Sequence, residues 1–251
     1  MTDHRLAKIF RLIEDIDDDC STAIQCLEIS RKITYDAQYL KRFSSSYSAH
    51  VIEYLQYAML RDGISIFCRM WDTDKDSHSL PNLLIELERD EITSLLKENV
   101  QSFVLQKGER PAYINLVDKY GESYAQDFRA SLKKKADEAV SHFMKTFGEL
   151  INRPKESNFI ELKDQLFNWR NQRISHRTEK TRADRKREKS GVPPIEPLKW
   201  GKMDEALKFT IKFYEDIRIQ VDGMNISSQD THRVWSVYAE SFWNSISESP
   251  R

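Results

Sequence analysis

Glycine and proline are scarce in this chain, 7 of each among 251 residues, while 31% of the residues are charged and Leu, Ile, Lys, Glu and Ala recur throughout. That balance favours helices over turn-rich sheet structure. Cysteine is scarce as well: Cys20, Cys26 and Cys68 form neither an even set nor a C-x-x-C pair, which excludes a disulfide framework and predicts buried thiols in a reducing cytosol. A chain of this length buries a sizeable core without staples or structural metal. Long apolar runs are missing, so no membrane span is expected. The N-terminal run MTDHRLAKIFRLIEDIDDD is charged throughout and lacks the apolar stretch of a secretory signal, so the expected location is cytoplasmic. An excess of positive charge is also lacking. The formal net charge of -1 gives no global attraction to polyanions, and any nucleic-acid surface has to come from local clustering. There is no P-loop and no G-x-S-x-G. His4, His50, His78, His142 and His232 show no metal-ligand spacing. Neither a metal nor a cofactor is expected.

What is present is helical periodicity. Leu6, Ile9, Phe10, Ile13, Ile16, Cys20, Ile24 and Leu27 recur at spacings of nearly always three or four, predicting an amphipathic helix over 5–28. The run from Ser46 to Trp71 is apolar on more than one side, as a helix buried at the centre of a bundle is, and Gly63 weakens it without ending it. DTDKDSHSLPNLL supplies a turn, followed by short helices predicted over 81–89 and 91–104, and a further turn is expected at 108–111. A stripe from Tyr124 to Ile151 predicts a long helix closed by Pro154. Phe159, Leu162, Leu166 and Trp169 predict another, starting at Ser157 or Asn158. Further patterns over 202–221 and 231–245 complete the chain, without a sustained strand-like alternation or an internal repeat. Trp169, Trp200, Trp235 and Trp243 read as packing residues. Between Arg177 and Lys189 seven basic residues stand against three acidic ones, and the whole stretch 177–197 reads as a basic loop.

That loop adjoins RNQRISH at 170–176, an arginine followed by a polar residue and, after five intervening positions, a histidine. The motif ends an amphipathic helix late in an all-helical chain, before the segment PPIEPLKWGKMDEALKF. Earlier, ISIFCRMWDTDKDSHSLPNLL carries Arg69 and Asp72 near the end of a long buried helix. Together these features resemble the AbiU-type abortive-infection branch of the HEPN superfamily over roughly residues 5–220. The resemblance implies an all-α, multi-helix bundle of HEPN type with long central helices and an additional C-terminal helix. Its expected division is a HEPN-like domain over 1–225, including the basic loop, and a helical extension over 226–251. It also implies a metal-independent endoribonuclease acting as a homodimer, a toxin or anti-phage effector with RNA as substrate, accompanied in such systems by a nucleotidyltransferase-like antitoxin.

The residues suit that chemistry. Imidazole titrates where a general base or acid is needed, so His176 can deprotonate a 2'-hydroxyl or protonate a leaving 5'-oxygen. Arg170, always protonated, can offer two parallel hydrogen bonds to the oxygens of a phosphorane-like transition state. Asn171 can hold the phosphate or orient a neighbour. Arg173, Arg177, Lys180, Arg182, Arg185, Lys186 and Arg187 are candidates for the RNA backbone. Arg69 and Asp72, three apart, either support the site or make a simple intrahelical pair. On an ideal α-helix, six positions turn the chain by about 240° and advance it by about 9 Å, so Arg170 and His176 would face different ways, and either side-chain reach or a second chain must close the gap. The rival reading is a non-catalytic HEPN module that binds RNA or a partner protein through the same polar groups.

Overall fold

The computed structural model describes residues 2–36, 39, 41, 48–108, 119–175, 182–193, 201–222 and 228–247, and every regular element among them is helical. The elements are α1 (Thr2–Tyr35), α2 (Ser48–Met70), α3 (Leu80–Leu87), α4 (Asp90–Gly108), α5 (Glu122–Asn152), a 3-10 turn (Arg153–Lys155), α6 (Ser157–Trp169), a π-helical segment (Arg170–Ser175), α7 (Arg182–Lys189), α8 (Gly201–Asp222) and α9 (Ser228–Ser247). The turn predicted at 108–111 falls, beyond Gly108, outside the described residues, and so does Trp200. No helix among the described residues is long and apolar enough to cross a membrane.

The predicted apolar stripes supply most of the buried positions, with Phe10 and Tyr124 as exposed exceptions. α1 directs Ile9, Leu12, Ile16, Ala23, Ile24 and Leu27 into one core with the C-terminal half of α2, and all three cysteines lie buried there as free thiols. Only the second half of α2 is surrounded. There Phe67 meets Phe159 and Phe167 of α6 edge-on, and Trp71, just beyond the helix, stacks on Phe213 of α8 and donates its indole N–H to Thr210 at 2.8 Å. In its first half, Val51, Tyr54 and Tyr57 are exposed. The expectation of a helix buried throughout therefore holds only where α6 and α8 cover it.

Gly63 does not interrupt α2. It lets α8 come close: a Cβ on Gly63 would stand 2.6 Å from Met203 Sδ. The polar segment after α2 closes on itself, with Ser79 donating to the Asp72 carbonyl at 2.7 Å and Asn82 to the carbonyls of Asp74 and Ser77 at 2.7 Å. α3 is then tied to α1 by Glu86, which accepts from Lys8 at 2.8 Å and from Arg89 at 2.6 Å.

α4 and α5 pair along their lengths, and Pro154 ends α5 in the 3-10 turn, so α6 starts at Ser157 as the sequence predicts. α9 packs on α1 and builds a second, smaller core from Ile33, Tyr39, Ile52, Ala239 and Trp243. Its other side leaves Val234, Val237, Tyr238 and Phe242 exposed.

The stretch 177–197 is not wholly loop. Residues 182–189 form α7, ended by Gly191 in the left-handed conformation (φ +68°) with Val192 N–H returning to the Arg187 carbonyl at 3.0 Å. The sequence conceals this helix because RADRKREK has no apolar stripe. What holds it in place is polar.

Candidate active site

The motif begins where α6 changes character. The Arg170 N–H is shared between the carbonyls of Leu166 and Phe167, and from Arg170 to Ser175 the backbone follows the wider π pattern. Segments of this kind are rare, short and frequent at functional sites. The ideal α-helical rotation assumed for Arg170 and His176 therefore does not apply, because a π turn winds the chain less per residue. His176 lies outside the described residues, as do Arg177 and Lys180, and of Arg182 only the backbone is described.

Arg170 is half-buried and held from two sides. Its guanidinium carbon sits 5.0 Å from the centroid of the Phe167 ring, which also meets Phe67 in the core. Its Nε and one Nη donate to Asn171 Oδ1 at 3.3 and 3.2 Å. Asn171 is thus a hydrogen-bond partner of the Arg170 guanidinium. Trp169, immediately before Arg170, packs partly buried against the core and lies 6.2 Å from the Tyr57 ring of α2.

The other predicted residues divide into two groups. Arg173 is exposed on the π segment, and Arg185 and Lys186 are exposed on α7. Arg187, in contrast, is engaged: its Nε donates to the Pro193 carbonyl at 2.9 Å and its guanidinium lies 3.9 Å from Asp164 of α6. Arg69 does not pair with Asp72. It grips Asp19 of α1 through Nε at 2.9 and 3.0 Å, while Asp72 accepts from the Asp74 N–H at 3.1 Å and so shapes the turn after α2.

Three residues that the sequence did not single out join the motif to α7. Asp184, only 7% exposed, accepts from Asn168 Nδ2 at 3.2 Å on one oxygen and from Gln172 Nε2 at 3.0 Å on the other. Their one signal in the sequence is the spacing of Asn168 and Gln172, four apart across the polar end of the helix.

The nearby thiol is no nucleophile. Burial pushes Cys68 up to about 12, against the pull of Arg170 in the opposite direction, so it is protonated at neutral pH and unreactive. A cavity of about 80 Å³ between α1, α8 and α9 is lined by Asp17, Tyr214, Glu215 and Arg218 and by no motif residue. Its arginine is already engaged by Asp17 and by the Tyr214 hydroxyl.

Neither the curated proteins nor the solved structures give a significant match to this chain. A family model does: the one described as AbiU2, of HEPN type, matches residues 6–244, and the chain therefore belongs to the AbiU2 family of HEPN proteins, a family of abortive infection.

Proposed function

We propose that this protein is a metal-independent endoribonuclease that cuts RNA at a site built by two copies of the chain, as a toxin or anti-phage effector. The observation that carries the reading is Arg170: a half-exposed guanidinium, fixed by Asn171 and Phe167 at the first position of a π segment, in the R-x5-H motif of a HEPN family member. Fixed donors aimed at developing charge stabilise a transition state without reorganising at the moment of reaction. In the reaction, one His176 imidazole takes the 2'-hydroxyl proton as its oxygen bonds to phosphorus. The P–O5' bond breaks, and an imidazolium from the second copy protonates the leaving oxygen. The products are a 2',3'-cyclic phosphate and a 5'-hydroxyl. One histidine cannot readily stand on both sides of phosphorus in a single step, and symmetry supplies the second. Arg170 binds the non-bridging oxygens. Arg173, Arg185 and Lys186 meet flanking phosphates, with Arg177, Lys180 and Arg182 from the same stretch.

The test is incubation of the pure protein with RNA in the presence of chelator. Wild type cleaves, His176→Ala and Arg170→Ala lose cleavage while keeping their helical circular dichroism, and an oligonucleotide with 2'-deoxy at the scissile position resists. Cleavage of the deoxy substrate, or undiminished cleavage by either folded variant, defeats the mechanism. Binding without cleavage by wild type favours the rival binding module.

A further inference from the structure

We infer that Asp184 is a positioning residue that sets the motif and the basic helix α7 in register, so that Arg170 and the cations of α7 address one RNA strand as a unit; the inference rests on the ribonuclease reading. A carboxylate buried to this degree costs free energy unless its oxygens are hydrogen-bonded. Here each oxygen takes an amide N–H, from Asn168 at 3.2 Å and from Gln172 at 3.0 Å. Those two residues flank Arg170. Asn168 belongs to the last turn of α6 and Gln172 to the π segment, so the Asp184 carboxylate spans the junction at which the helix widens.

On its other side Asp184 lies in the first turn of α7, where a negative charge also suits the helix N-terminus. An eight-residue helix without an apolar stripe does not persist alone. The contact between Arg187 and Asp164, 3.9 Å apart and partly exposed, adds little to its anchoring. Among the described residues, the clamp is thus a buried polar tie between α7 and the motif. Arg185 and Lys186, the next two residues, are exposed, so wherever Asp184 is held they are carried beside the motif. Asp184 touches no substrate in this account. It acts through Asn168 and Gln172 on Arg170.

Three variants test this: Asp184→Ala, Asn168→Asp and the double Asn168→Asp/Asp184→Asn. The second opposes two carboxylates across the clamp, and the double restores a carboxylate and an amide with their places exchanged. Hydrogen exchange is read on the protein without RNA, over the amides of 182–189. Exchange there should accelerate by at least about tenfold in both single variants, since a lone short helix frays, and return most of the way in the double. In single-turnover cleavage the saturating rate of both single variants should fall by roughly tenfold to a hundredfold, the effect of a misplaced group, and recover in the double. A loss unrelated to this contact would not be repaired by the exchange of places. Unchanged exchange in Asp184→Ala overturns the inference, as does a double variant no better than Asn168→Asp, or faster exchange with an undiminished saturating rate. If Asp184→Ala fails to fold, the comparison of Asn168→Asp with the double decides. If wild type cuts no RNA, the ribonuclease reading falls, and the exchange measurements alone decide whether the clamp exists.

Discussion

Arg170 and Asn171 are neighbours whose side chains meet, an arrangement that a π segment permits and that gives the asparagine a role it cannot play by charge. If Asn171 only orients Arg170, its removal should cost less than removal of the arginine. Asn171→Ala is expected to lower the saturating cleavage rate by roughly tenfold to a hundredfold. The double variant Arg170→Ala/Asn171→Ala should be no worse than Arg170→Ala alone, because residues acting as one unit are not additive. A further loss in the double variant, measured in single turnover, would give Asn171 its own contact to the phosphate. At this scale the motif was legible in the sequence: an arginine, an amide and a histidine at family spacing announce themselves by type. Asp184, Asn168 and Gln172 did not, since an acid in a basic stretch and two amides near a helix end look like ordinary solvated residues until burial identifies them.

Among the elements, legibility followed apolar content. α1, α2, α5, α6, α8 and α9 each carry a stripe whose period gives the helix away, and α1 runs past the predicted 28 because Ile33 enters the second core. α7 has no stripe and was read as loop. The π segment leaves no compositional trace, since it alters the hydrogen-bond pattern and not the residue types. Two predictions belong here. Arg185 and Lys186 are free to meet phosphates while Arg187 is engaged, so Arg185→Gln/Lys186→Gln should flatten the log-log salt dependence of RNA binding by about 1.4, at roughly 0.7 per single-strand contact. The saturating rate should stay near wild type, and an unchanged slope would leave these cations as solvated surface.

The second concerns the tie between α1 and α3. Burial works against the ionised form of Glu86, but hydrogen bonds from Lys8 and Arg89 prevail and hold its carboxyl below the usual carboxylate range. A carboxyl depressed on folding contributes stability above its unfolded value and loses it as pH falls through the folded one. Glu86→Gln should therefore destabilise by about 1.5–3 kcal/mol at pH 7, the range for hydrogen bonds to a charged group. The gap to wild type should narrow steadily as denaturation is repeated at pH values below 4. A constant gap would show that shape, not charge, makes the contact.

For the whole molecule, the proposed chemistry makes two chains the working unit. Cleavage per chain should then fall on dilution, in step with the monomer fraction measured by sedimentation at the same concentrations. Constant specific activity from a sedimenting monomer would return both proton transfers to one chain.

Gly63 has a consequence outside catalysis. The hydrogen in place of a side chain lets the Met203 thioether pack against the backbone of α2, where even a Cβ would meet its sulfur. Oxidation to the sulfoxide adds an oxygen and a dipole to that sulfur. Once folded, the chain shields Met203, which is 5% exposed. A nascent chain that meets peroxide before α8 has docked on α2 carries a polar lesion into a buried apolar contact. Oxidative stress during synthesis would thus be recorded in how much protein matures, while in molecules already assembled this sulfur is shielded.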